Sequence, residues 1–317
     1  MVRAQPRYRG VNSSLQFVLF STLVAATPLL IGALGELVVE KTGVLNLSIE
    51  GLMAIGAAVG FIAAYNTGSH WLGLLAGGVA GLILSLVFAG VTLLFLANQV
   101  AAGIAVGILG LGLSAMVGRS YESQSIPPMA HWAIPGLSTL PVIGQAFFAQ
   151  SPPVYLAVIL AVGEAVFLRA TRLGLIIRAA GEAPHAAYAL GYDVVVIRAG
   201  AIAFGGFLAG VAGAVISVAY TPLWADGMVA GRGWIVIALV VFGSWRVGRI
   251  AAGAYLFGAV GILELLFQAQ GVQLPSQLLS SLPYVVTIIA LTLLSMDRRR
   301  IRLNAPVSLG LTFWTGQ

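Results

Sequence analysis

Residues 35–51 read GELVVEKTGVLNLSIEG, and this stretch contains Lys41, the single lysine of a chain that carries 15 arginines. Gly35, four residues and then Glu40-Lys41-Thr42 lie one residue away from G-x-x-x-x-G-K-[ST], the loop whose backbone N–H groups and lysine cradle nucleotide phosphates. The chemistry fails on three counts. The glycine that should precede the lysine is Glu40, whose side chain crowds the site; Glu36 and Glu40 repel phosphate; and the stretch follows a long apolar helical run, not a strand. With no other lysine to take the role, any dependence on ATP has to be met by another polypeptide. Lys41 itself reads as an interfacial anchor beside Glu40.

Other chemistry is sparse. His70, His131 and His185 are far apart and lack an i, i+4 or cysteine partner, so they read as interfacial or surface residues and no metal site is expected. The chain has no cysteine, which excludes disulfides, iron–sulfur clusters and thiol catalysis, and no G-x-S-x-G, H-E-x-x-H or paired-Asp constellation supports hydrolysis; no catalytic residue is expected. The informative groups are polar ones inside apolar runs, where an ionised side chain costs about 2.5–3.5 kcal/mol and normally faces a bundle interior. Glu264 and Gln268 stand four apart on one helix face, Glu50 opens an apolar run, and Asn46, Ser48 and Gln99 flank others. These six are the candidate lining of a polar route. Such groups hydrogen-bond a neutral polar solute without demanding a counter-ion. For Glu50 the plain alternative is a carboxylate favoured at a helix N-terminus with no further role. Glu164, one turn from Arg169, reads as a snorkelling neighbour.

The elements that must hold these groups are membrane helices. Of 317 residues, 59% are hydrophobic and 8% charged, against roughly 25% charged in a soluble domain. Apolar runs of helical length recur, and lipid leaves backbone polar groups no partner outside a helix or a closed barrel. The fold class expected is an all-α, polytopic bundle of 8–10 spans. Spans are placed at 15–38, 51–66, 71–96, 100–118, 153–168, 199–220, 227–245, 250–270 and 278–296, giving a basic tail 1–14, one transmembrane domain 15–296 and a cytoplasmic tail 297–317. The first span has no cleavage signature and is read as retained. The net charge of +6 reflects arginines beside spans, as the positive-inside rule expects, not a nucleic-acid surface.

The run Asp297-Arg298-Arg299-Arg300-Ile301-Arg302 marks the cytoplasmic side, and Arg246, Arg249, Arg169, Arg172, Arg178 and Arg198 then fall on the same side. Nine full crossings would leave Arg3, Arg7 and Arg9 outside, so either the N-terminus departs from the rule or residues 39–66 are re-entrant. Gly-broken stretches at 43–51 and 226–233 stand at corresponding places in two halves, the pattern of inverted repeats with a solute route near their interface. Gly73/Gly77/Gly81, Gly103/Gly107 and Gly206/Gly210 set small faces for close helix packing. Residues 119–152 form a long outside loop with Trp132 and Phe147-Phe148 as interfacial anchors, and a soluble partner could dock there. In the cytoplasmic loop 169–198, Pro184 and Gly191 delimit a helix of about seven residues, too short to be stable without packing on something, so it reads as a docking element.

Gly181-Glu182-Ala183-Pro184-His185-Ala186-Ala187-Tyr188-Ala189-Leu190-Gly191 resembles the cytoplasmic coupling loop of ABC importer permeases of the branched-chain amino acid and ribose permease superfamily. Residues 40–53 resemble the G-V-x-N-[IL]-x-x-E-G-x-M segment of its nucleoside and simple-sugar subgroup, and residues 98–103, 230–235 and 242–245 agree as well. The resemblance spans about residues 15–296. It implies a non-catalytic permease in the bacterial inner membrane, working with a second, paralogous permease, with ATPase chains that bind ATP and magnesium, and with an extracytoplasmic binding protein; no cofactor is implied in this chain. Gly181, Glu182, Pro184, Ala187 and Gly191 would form the coupling element. The substrate implied is a nucleoside or related simple sugar, with a branched-chain amino acid as the alternative; apart from the resemblance, the intramembrane glutamates and broken helices leave an ion-coupled secondary transporter as a different class. Two positions depart from the pattern: Ala183 replaces an Asn or Asp cap worth about 1 kcal/mol, and Gly107 stands where the subgroup often has Asn.

Overall fold

Apolar runs that cannot leave a backbone group unpaired in lipid fold as long helices, and the computed structural model shows this over residues 11–140, 143–269, 285–286, 289 and 304–314. The described helices are α1 (Val11–Lys41), α2 (Ile49–Thr67), α3 (His70–Ala89), α4 (Gln99–Gly118), α5 (Ile143–Phe148), α6 (Pro152–Ala170), α7 (Arg172–Glu182), α8 (Pro184–Ala189), α9 (Val194–Val215), α10 (Arg232–Phe242) and α11 (Val247–Ala269). Seven of them, with the π-turns that prolong α3 and α9, are long and apolar enough to cross a membrane. The expected span 278–296 and the arginines of the two tails lie outside the described residues.

The centre of the bundle is α9, packed against α1, α2 and α3. Small residues bring the backbones together: Gly77 and Gly81 of α3 meet Gly206 and Gly210 of α9, and Gly56 of α2 joins Gly77 and Gly210 at the same crossing. α2 in turn crosses α4 so closely that a methyl group at Gly51 would fall on the Gly107 carbonyl. The core between them is aliphatic, including Leu30, Leu34, Leu37, Leu52, Met53 and Ile202.

Two expectations about spans are corrected. Residues 39–66 are not re-entrant. α1 continues to Lys41 at the arginine-rich end, the chain breaks over 42–48, and α2 then runs to the opposite end, where His70 Nε2 lies 2.7 Å from the Pro127 oxygen of the loop 119–152. α1 starts at that same opposite end, with Gln16 bonded to Gln145 at 2.7 Å and Phe20 edge-on to His131. The segment 227–245 is likewise not one continuous span. Only the 11 residues of α10 are helical, roughly 16 Å of rise, and the passage from Leu223, bridged to Ser125, is carried by turns. The physical cause is the Gly-rich lead-in, with Gly227 and Gly231 at φ +70 and +80.

The loop 119–152 is more ordered than its composition suggests. Strands β1 (Trp132–Ala133) and β2 (Ala149–Gln150) pair antiparallel and hold α5 between them. Trp132 and Phe147 are exposed there, as interfacial anchors would be, and Trp71 lies 6.2 Å from Trp132.

Candidate functional site

The break before α2 is built by its own side chains. Asn46 Oδ1 accepts from the Ser48 backbone N–H at 3.0 Å and from the Ser48 hydroxyl at 2.5 Å, an Asx turn that swings the chain into α2. Gln99 at the start of α4 braces it, its Oε1 accepting the Leu45 N–H at 2.8 Å. Asn46, Ser48 and Gln99 are buried. The polar atoms expected to line a route therefore hold the bend that aims Glu50.

Glu50 projects from the first turn of α2 to the N-terminus of α10. Its Oε1 accepts the Gly231 N–H and its Oε2 the Gly233 N–H, each at 2.7 Å. One carboxylate thus occupies the positive end of a half-helix, where unsatisfied amides and the helix dipole favour an anion. Gly233 is required by proximity, since a Cβ there would strike the Glu50 backbone. The strain sits at both ends of α10: Ala230 before it, and Ser244 and Trp245 after it, adopt φ of +50, +50 and +53, a region disfavoured for residues with a Cβ. Gly51 lies against Gly107, which places this junction roughly 12 Å of helical rise above Gln99, well inside the bundle.

A cavity of about 190 Å3 opens at the junction, lined by Glu50, Ala54, Ser114, Trp224, Asp226 and the backbone of 227–230. Ser114, Trp224 and Asp226 are not among the route residues expected from the sequence, although Asp226 opens the broken stretch 226–233. The signal for the last two was present, because they lead directly into the broken stretch that starts at Asp226. Ser114 had none: its hydroxyl donates to the Ala54 carbonyl at 2.9 Å, a tertiary contact. Arg232, inside the broken stretch 226–233, donates to the Met228 carbonyl at 2.7 Å and sits 5.9 Å from the Tyr220 ring. Glu264 and Gln268 do share a face, with Gln268 Nε2 donating to Glu264 Oε1 at 3.2 Å, but they lie on α11 and do not line this cavity. Glu164 is a correction: it does not snorkel, being 7% exposed with Oε1 lacking a partner, because it points into an apolar groove between α6 and α9 and not towards Arg169.

At the arginine-rich end the short helix read from Pro184 and Gly191 is α8, preceded by an amphipathic α7 that the reading did not foresee. Ala183 stands at its N-cap with no side-chain cap bond, Pro184 starts it, Ala187 is buried and Gly191 turns away at φ +88. Residues 304–314 strap it down. Ser308 bonds the Gly181 carbonyl through its N–H at 3.0 Å and its hydroxyl at 2.7 Å, and the Phe313 ring packs on His185 and Tyr188. Buried Arg198 ties the strap to the break, donating to Thr42 O (3.0 Å), Leu311 O (3.1 Å) and Ser308 Oγ (3.1 Å). The Gly310 N–H reaches Gly43 O at 3.0 Å. A continuous set of hydrogen bonds and ring contacts thus runs from α8 to the turn that aims Glu50. Glu182 lines a cleft of about 610 Å3 between α8 and the strap.

The profile of the family described as branched-chain amino acid transport system / permease component matches residues 18–291. The chain is 38% identical over 314 residues to the putative glucose ABC transporter permease protein of Haloferax volcanii, covering 92% of this chain and 95% of that one. It is 31% identical over 297 residues to the nucleoside ABC transporter permease protein of Lactococcus lactis subsp. cremoris (90% and 94% covered). It is 33% identical over 300 residues to the guanosine ABC transporter permease protein of Bacillus subtilis (88% and 92% covered). No solved structure matches.

Proposed function

The chain belongs to the branched-chain amino acid transport system / permease component family of multi-pass membrane permeases, and on that premise we propose that it carries a nucleoside or related simple sugar through an ATP-driven importer. The observation that carries the reading is the Glu50 carboxylate held by the Gly231 and Gly233 N–H groups where two broken segments meet. The 190 Å3 cavity beside it offers carboxylates, a hydroxyl and the Trp224 ring, groups that suit a neutral, hydroxyl-rich solute. The meeting of the two interruptions also supports reading the halves as inverted repeats with the route at their interface. The relatives named for glucose, nucleosides and guanosine give the substrate class its direction.

In this reading Gly181, Glu182, Pro184, Ala187 and Gly191 form the coupling element that docks in an ATPase groove, and the strap passes its displacement through Arg198 and Gly43 to α2. A second permease, which we take to be a paralogue, completes the path, and an extracytoplasmic binding protein delivers the solute on the side of loop 119–152. ATP and magnesium are bound by the ATPase chains, and this chain is the non-catalytic transport subunit. Uptake of labelled guanosine into sealed vesicles tests this. Import should persist when ion gradients are collapsed and stop when ATP is withheld; import that follows the ion gradient instead would establish a secondary transporter.

A further inference from the structure

A separate cluster lies on the other side of the arginine-rich end. Lys41 at the end of α1, Arg169 at the end of α6, Arg178 in α7 and Arg246 in the turn between α10 and α11 converge on one cavity of about 340 Å3, with Trp245 and Asn304 in its wall. Lys41 feels the attraction of Glu182 first and, after it, the repulsion of Arg178 and Arg246. Glu182 and Glu40 act on Lys41 with the opposite sign, yet neither lines the cavity, and Glu40 Oε2 already accepts the Trp245 indole N–H at 2.6 Å. Lys41 Nζ uses one donor on the Asn304 carbonyl at 2.8 Å, and Arg178 Nε one on Gly174 O at 3.3 Å. The guanidinium groups of Arg169 and Arg246 have no hydrogen-bond partner among the described residues.

The positive-inside tendency explains why each cation sits at this end, but not why four from separate elements turn towards one space. Glu182 and Glu40 offset part of the charge on Lys41 but stand outside the cavity, where the exposed Arg169 and Arg246 have guanidinium forks that match phosphate oxygens bidentately. The ends of membrane-crossing helices lie at the depth of lipid phosphates.

We propose that this cavity is a binding site for a phosphate-bearing anion, supplied by the headgroup of an anionic membrane lipid. Arg169 and Arg246 grip the phosphate while Lys41 and Arg178 supply its inner charge. The site shares no lining residue with the cavity beside Glu50.

The test uses the full chain purified in detergent and equilibrated with equal amounts of phosphatidylglycerol and phosphatidylcholine, retained lipid being counted by mass spectrometry. The expected result is retention of phosphatidylglycerol over phosphatidylcholine by about tenfold, lost in Arg169→Gln/Arg246→Gln and kept in Arg169→Lys/Arg246→Lys, which preserves charge. Competition with millimolar inorganic phosphate separates the sources: displacement identifies a site for free phosphate, which overturns the lipid assignment, and persistence supports the lipid. Equal retention of the two lipids, or a preference unchanged in the glutamine variant, overturns the proposal. Helical circular dichroism and a monodisperse elution confirm that each variant is folded.

Discussion

The Trp245 indole N–H donates to Glu40 Oε2 at 2.6 Å, joining the strained end of α10 to the last turn of α1 in a buried contact. Glu40 Oε1 has no hydrogen-bond partner among the described residues, so this bond is the one its carboxyl group receives there. Trp245→Phe removes the donor and is expected to cost about 1–3 kcal/mol, the desolvation of an unsatisfied group. Thermal unfolding in detergent measures it, and Glu40→Gln, which keeps an acceptor oxygen, should cost less. Equal loss in the two variants would contradict the assignment.

Gly51 and Gly107 predict an asymmetry between neighbouring glycines. A methyl group at Gly51 meets the Gly107 carbonyl, whereas one at Gly107 stands 3.5 Å from Ser48 Cα, an ordinary contact. Gly51→Ala should therefore abolish stable insertion or lower the unfolding midpoint sharply, while Gly107→Ala should be close to neutral. Expression and melting of the two single variants check this.

Arg198 has three acceptors and no exposed surface to fall back on. Arg198→Met strands the buried Thr42 O, at about 1–3 kcal/mol for a buried group left unpaired, while Leu311 O keeps the Gln99 Nε2 donor at 3.3 Å. The strap should loosen first, so limited proteolysis ought to clip the chain within 304–314 faster than in the parent. An unchanged clipping rate would show that the strap is held by other contacts.

For the coupling element, Glu182→Lys with Pro184→Gly is expected to leave the chain inserted while abolishing substrate-stimulated ATP hydrolysis by the assembled complex. Phe313→Ala, which removes the ring lodged against His185 and Tyr188, should give a milder version of the same defect. Stimulation unchanged in both would refute the route from α8 through the strap.

The helices were legible because lipid imposes them: seven expected spans appear within a few residues of their placement. The breaks were legible too, since Gly43, Asn46, Gly227 and Gly231 interrupt apolar runs where the chain turns. What the sequence concealed was pairing across distance. Asn46, Ser48 and Gln99 read as route residues because their polarity is visible in sequence, whereas their partners, Leu45 and Leu311 among them, are set by packing. Glu50 read as a helix-end carboxylate with a route role as the lesser alternative; the structure gives it a second helix's amides, which no local pattern encodes. The strap was invisible for the same reason, since Phe313 and Ser308 belong to a tail with no periodicity.

The central claim is that Glu50 controls the junction of the two broken segments through which solute passes. It is tested most directly by ATP-dependent guanosine uptake into vesicles containing the assembled complex with Glu50→Ala. The account predicts uptake at least about tenfold below the parent, with insertion and ATPase association intact, because α10 loses the anion that holds its N-terminus. Uptake at the parental rate would contradict it.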